Sequence, residues 1–270
     1  MNAMNLEDHL GDILSKTRAM TRVSAQAAAQ AAGVSPTEYS ALEKTGEAPA
    51  KFHFAALASL LGLDGRKLEA LARGWLPRPV ELDAWRHLRS ITTVSDDMAV
   101  NCFLIWDGTT REAALFDTGW DAAEALQWLA AEQLRLTHLF ITHSHDDHVA
   151  GVPELQRAFP AVRMIGSREA KEVFAVGSLR VSGRPTPGHA ADGVTWLVSG
   201  WPGVAPLVAM TGDALFAGSI GRGFQSWELS RRSVREQIFT LSPDTLVCPG
   251  HGPLTTVGEE TTHNPFFPDV

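Results

Sequence analysis

Thr137-His138-Leu139-Phe140-Ile141-Thr142-His143-Ser144-His145-Asp146-Asp147-His148 is the stretch on which the reading of this chain turns. Its first half, His138–Thr142, is a short run of aromatic and branched apolar residues, the pattern of a buried strand. The run then breaks into three histidines and two aspartates, and a helical pattern resumes at about Val149–Ala158. So many ionisable side chains would be electrostatically costly in a core. At the end of a strand they can instead converge on a cation. Neutral imidazole and carboxylate suit Zn²⁺ and related metals, and a catalytic site of this type leaves one position open for water.

Further along, three isolated residues fall where strands are read to end, each beside glycine. They are His189 in Pro187-Gly188-His189, Asp213 in Thr211-Gly212-Asp213 and His251 in Pro249-Gly250-His251-Gly252. This repetition suggests loops gathered at one edge of a sheet. The sequence predicts strands at Cys102–Trp106, Ala113–Phe116, Leu139–Thr142, Val162–Ile165, Val194–Val198, Leu207–Met210 and Thr245–Val247. They are short, apolar and separated by turns, as in two packed sheets flanked by helices.

The His-x-His-x-Asp-His series, followed by His, Asp and His, resembles the metallo-β-lactamase superfamily. TGDALFAGSIGR (211–222) and PGHGPLTTVGEE (249–260), with NPF at 264–266, are most similar to its glyoxalase II branch. The resemblance covers roughly residues 85–267 and implies an α/β fold, a four-layer αβ/βα sandwich. It assigns His143, His145 and His189 to one metal and Asp147, His148 and His251 to a second, with Asp213 bridging. Asp146 fills a variable position outside the ligand set. Asp117, in Phe116-Asp117-Thr118-Gly119, matches an aspartate that orients the ligating histidines. Arg222 and Asn264 match structural positions, as salt-bridge and turn elements.

The implied cofactors are two divalent cations, zinc with iron or manganese as alternatives. The implied chemistry is attack by a metal-activated water on a thioester or related small acyl substrate, with Asp147 orienting the nucleophile and helping to move its proton. The chain ends soon after His251, so the C-terminal helical domain with which full glyoxalase II enzymes grip glutathione is expected to be missing. The stretch GHAADGV (188–194) also resembles the persulfide dioxygenase branch, which would use one iron in the first ligand group alone. Most of the tryptophans are expected in the core.

Charge divides the chain. Residues 1–80 hold nine Lys/Arg against eight Asp/Glu, whereas the remainder is strongly acidic and sets the net charge of −8. That balance argues against a polyanion cradle, and hence against a nuclease. Gly74-Trp75-Leu76-Pro77-Arg78-Pro79 reads as an extended connector, which places a boundary near residue 80 between units 1–80 and 81–270. The first unit reads as five short helices. Ser35-Pro36-Thr37-Glu38 supplies a capping box with proline at the first helical position, after a turn at Gly33.

The segment VSAQAAAQAAGVSPTEYSALEKTG (23–46) resembles the Cro/phage-repressor (Xre-type) helix-turn-helix family over about residues 6–73. The resemblance implies that the helix beginning at Pro36 enters a major groove, with Thr37, Tyr39, Ser40 and Lys44 as candidate DNA contacts. That helix offers no Arg, Asn or Gln for base edges. The competing expectation is a module for docking or homo-oligomerisation, and a third is a regulator whose metal unit senses a metal or acyl ligand. No secretory leader is read in Met1–Met20, and no apolar run is long enough to span a bilayer, so no membrane partner is expected. Two cysteines, Cys102 and Cys248, cannot build a disulfide framework, which fits a reducing, cytoplasmic setting.

Overall fold

The computed structural model describes residues 5–203 and 205–268; Met1–Met4, the start of the stretch read for a leader, lie outside them. Five helices come first: α1 (Leu10–Thr21), α2 (Ala25–Ala32), α3 (Pro36–Thr45), α4 (Phe54–Leu61) and α5 (Gly65–Ala72). The capping box forms as expected: Ser35 accepts from the Glu38 amide and Glu38 accepts from the Ser35 amide. Gly33 ends α2 at φ 72°, a left-handed conformation that a Cβ would disfavour.

Beyond the connector the chain builds two sheets. Strands β1 (Leu88–Ser95), β2 (Met98–Trp106), β3 (Glu112–Phe116), β4 (Arg135–Phe140) and β5 (Arg163–Ile165) lie in that order. Strands β6 (Val173–Val176), β7 (Leu179–Pro185), β8 (Val194–Ser199), β9 (Val208–Gly212), β10 (Leu246–Pro249) and β11 (Thr255–Thr256) form the second sheet, in the order β11-β10-β9-β8-β7-β6. The remaining helices are α6 (Ala123–Ala131), α7 (Asp146–Val149), α8 (Val152–Ala158), α9 (Trp227–Ser233) and α10 (Val257–His263).

The strand period of two explains the layering. On β2, Phe103 and Ile105 face the second sheet, where they meet a core containing Trp196, Val198, Met210 and Cys248. Cys102 and Leu104 point the other way, into a core shared with Leu129 of α6 and Leu155 of α8. Both faces of the sheet are therefore covered. The expected four layers, helix–sheet–sheet–helix, are present, with α1–α5 preceding them in the chain. Both cysteines are free and buried. No helix among the described residues is long and apolar enough to cross a membrane.

The expected strands are found to within a few residues, and the structure adds β1, β6, β7 and β11. The helical segment also packs more intimately than a separate module would. Leu10, Leu14, Leu57 and Leu68 share one apolar core with Trp227 of α9, Val247 of β10, and Phe266 and Phe267 near the C-terminus. Burial on this scale stabilises the arrangement at roughly 25 cal/mol per Å² of apolar surface removed from water.

Candidate metal centre

The carboxyl ends of five strands supply the site. Asp117 follows β3; His143 and His145 follow β4, with Asp147 and His148 on the single turn α7. His189 follows β7, Asp213 follows β9 and His251 follows β10. Strand β4 runs parallel to β3, and β10 runs parallel to β9, so within each sheet neighbouring ligand loops leave the same edge.

One group consists of His143, His145 and His189. The Nδ1 of His145 lies 3.0 Å from His143 Nε2 and 3.0 Å from His189 Nε2. The outer nitrogens fix the tautomers. His189 Nδ1 donates to the Arg222 carbonyl at 2.9 Å. His143 Nδ1 donates to Thr142 Oγ1 at 3.1 Å, because the threonine proton is committed to Asp117 at 2.7 Å. The inward nitrogens of both rings thus carry lone pairs, and both face His145 Nδ1.

The second group consists of Asp147, His148 and His251. His148 donates from Nδ1 to Asp117 at 2.9 Å, and His251 donates from Nδ1 to the Ala99 carbonyl at 2.6 Å. Asp147 Oδ2 stands 3.2 Å from His251 Nε2 and 3.7 Å from His148 Nε2. Asp213 faces both groups: Oδ2 is 3.3 Å from His189 Nε2, while Oδ1 is 3.2 Å from His148 Nε2 and 3.5 Å from His251 Nε2. All seven expected ligands therefore come together. Asp146 is exposed and outside each group.

Two observations bear on whether a cation fits. His148 Nε2 and Asp213 Oδ1 are buried and make no hydrogen bond. Leaving such groups unsatisfied costs about 1–3 kcal/mol each, which a cation between them would offset. The electrostatics agree. Burial, followed by the neighbouring His148, pushes His143 down to about 2, so its ring is neutral. At His251 burial opposes charge, yet the bond to Asp147 and the charge of Asp213 lift it to about 9. The carboxylates call for positive charge here, from protons or from metal ions. The His and Asp groups fit divalent cations.

Close packing explains the adjacent glycines. A Cβ on Gly250 would lie 2.4 Å from Asp213 Oδ1, and one on Gly221 would lie 2.7 Å from His189 Nδ1. Arg222 acts through its carbonyl while its side chain is exposed, so the expected salt-bridge role gives way to a backbone one. Asn264 caps its own turn by accepting from the Phe266 amide, and donates to the Ser219 carbonyl at 2.9 Å.

Phe224 escaped the sequence reading. It is 67% exposed, yet its ring lies 5.4 Å from that of His189 and 6.0 Å from that of His145. An apolar wall beside clustered imidazoles has no local signature; its one clue is its place two residues beyond Arg222 of GSIGR. The tryptophans are mainly core, as expected: Trp196 is fully buried and donates to the Ile141 carbonyl at 2.9 Å.

The DNA-facing expectation needs correction. Thr37, Ser40 and Lys44 are exposed on α3, but Tyr39 is fully buried. Tyr39 and Leu42 are three residues apart on one helix face, and that face packs into the core of the helical segment. Available positive charge is also reduced. Arg18 pairs with Glu43 through two bonds of 2.7 and 3.0 Å, and Lys16 is buried.

Comparison with known proteins agrees with this geometry. The family model described as the metallo-beta-lactamase superfamily matches residues 95–207. Hydroxyacylglutathione hydrolase GloC of Haemophilus influenzae is 33% identical over 198 residues, covering 62% of this chain and 92% of the relative. The mitochondrial persulfide dioxygenase ETHE1 of Bos taurus is 33% identical over 181 residues, covering 60% of this chain and 69% of its own. A crystal structure of TTHA1623 in a di-iron-bound form superposes with a TM-score of 0.52 at 25% identity, covering 65% of this chain and 99% of that one. With this fold, this ring of histidines and aspartates and these relatives, the chain belongs to the metallo-beta-lactamase superfamily.

Proposed function

We propose that the protein is a hydrolase of thioesters or related small acyl compounds that works with two divalent cations. His143, His145 and His189 hold one, Asp147, His148 and His251 hold the other, and Asp213 is shared. The observation that carries this reading is the completeness of the second group, with Asp147 and His251 in contact at 3.2 Å and Asp213 turned towards both groups. When bound, such cations acidify water from a pKa of about 15.7 towards about 7 and polarise a carbonyl oxygen.

The protein's own residues do the rest. Asp117 and the Ala99 and Arg222 carbonyls hold the imidazoles in the tautomers that offer lone pairs to the site. Burial works against ionising Asp147, but its bond to His251 prevails and holds the carboxyl below its usual range. It is therefore charged at neutral pH and suited to orient a water by accepting a hydrogen bond from it. Phe224 offers an apolar face to the substrate.

A second reading is a persulfide dioxygenase with one iron in the first histidine group, favoured by the likeness to ETHE1. A regulator that reads DNA through α3 has less behind it, because Tyr39 is buried and Arg18 is paired. The experiment is to strip the protein with chelator, reload it separately with zinc, manganese or iron, and assay a thioester panel alongside oxygen uptake with a persulfide. Thioester turnover without oxygen uptake is the expected result. Oxygen uptake by the iron form with no thioester turnover would replace the hydrolase with the dioxygenase.

A further inference from the structure

We infer that Lys16 of α1 is a positioning residue for the metal centre, clamping the loop that runs from Asp213 to Phe224; this rests on the metal-centre reading above. Lys16 is only 3% exposed. Burying an ammonium costs several kcal/mol unless it is paired and fully hydrogen-bonded. Here all three of its donors are used. They go to the Asp8 carboxylate, to Ser219 Oγ at 2.7 Å and to the Ile220 carbonyl at 2.6 Å. Ser219 Oγ in turn donates to Asp8 at 2.5 Å, which closes the network.

The position of this clamp gives it a role. Immediately after Ile220, the Gly221 amide donates to the Asp213 carbonyl at 3.1 Å, and the Arg222 carbonyl then receives His189 Nδ1. Only Gly221 separates the carbonyl held by Lys16 from the carbonyl that orients a ligand. One helical turn beyond Lys16, Met20 meets the same loop, its sulfur accepting from the Gly223 amide at 3.1 Å. On the other side of the site, a Cβ on Gly252 would lie 3.0 Å from the Glu7 amide nitrogen, so the segment leading into α1 abuts the loop that carries His251.

Apolar packing already docks the helical segment, through Leu10, Leu14, Leu57 and Leu68. A buried ion pair is a poor means of adding adhesion, since apolar replacement is often as stable. What it adds is direction: three donors fix one carbonyl and one hydroxyl in a single register. The helical segment, on this account, is part of the metal centre's scaffold.

The test uses the full-length protein and the double variant Lys16→Met/Asp8→Asn, which removes both charges together and so leaves neither buried alone. Zinc affinity is measured by chelator competition. The state of His189 is read from the nitrogen chemical shifts of its ring in the metal-free protein. The expected result is an unchanged circular dichroism spectrum, zinc affinity reduced about tenfold or more, and loss of the Nδ1-protonated signature of His189. Affinity within about twofold of the parent, with an unchanged His189 signature, overturns the inference. If the double variant does not fold, Ser219→Ala replaces it, with a several-fold loss expected and an unchanged affinity again contrary. If the parent itself binds no zinc, the metal reading fails, and the His189 signature in the metal-free proteins still decides the role of Lys16.

Discussion

Asp117 accepts the Nδ1–H of His148 at 2.9 Å while its own backbone sits in the left-handed region, at φ 58°. For a residue with a Cβ that conformation is costly, on the order of 1 kcal/mol. It is held by the Thr142 amide, which donates to Asp117 Oδ1 at 2.7 Å, and by the Thr142 hydroxyl on Oδ2. One carboxylate thus sets the tautomer of His148 directly and that of His143 through Thr142. Asp117→Asn places an amide where two donors converge, so zinc affinity is expected to fall roughly 10–100-fold with the fold retained. Chelator competition measures it; parent-like affinity would show that the histidines orient without Asp117.

Phe224 is exposed, so truncating it removes little packing, and Phe224→Ala is expected to leave the unfolding free energy within about 0.5 kcal/mol of the parent. Its ring flanks His145 and His189. The variant should therefore show a several-fold higher KM for apolar acyl substrates, and a smaller change for an acetyl thioester. A comparison of the two substrates by steady-state kinetics tests this. Equal effects on both would mean that the ring does not contact the acyl chain.

Glu260 supplies a pH-dependent term in stability. It is fully buried, and burial lifts its carboxyl to about 7 in spite of donors from Asn264, Thr255 and the Gly218 amide. A folded pKa above the ordinary 4.5 means that the folded state holds the proton more tightly. The contribution is then full below pH 4.5 and is lost as pH rises through about 7. Glu260→Gln keeps the shape without the titration. Urea unfolding at intervals from pH 4.5 to 8 should show parent stability falling relative to the variant; parallel curves would assign Glu260 an ordinary pKa.

The cluster after β4 is legible because it breaks an apolar run, and His189, Asp213 and His251 stand beside glycine where strands are read to end; their grouping around two cations is what the family resemblance implies. Other features were hidden for identifiable reasons. Strand β1 is rich in threonine and serine, and it joins β2 through Asp96 and Asp97, which both adopt positive φ without the usual glycine. Strands β6 and β7 were hidden similarly, by a short run and a turn at Gly177. Tyr39 faces inward, not towards solvent as expected, because a tyrosine on an amphipathic helix can face either way and core packing decides. The bond from Lys16 to Ser219 spans 203 residues, a separation no local pattern reports. For the same reason the helical segment read as a module of its own, while the structure joins it to the sheet unit through a common core.

On the proposed reading, two groups of imidazole and carboxylate each hold a cation. Its most direct test is the metal content of the purified protein after zinc loading and dialysis, measured by plasma mass spectrometry alongside His145→Ala and His251→Ala. The expected content is about two zinc ions per parent chain and about one in each variant, with circular dichroism unchanged. A parent chain that retains no metal, or variants that retain as much as the parent, would contradict it.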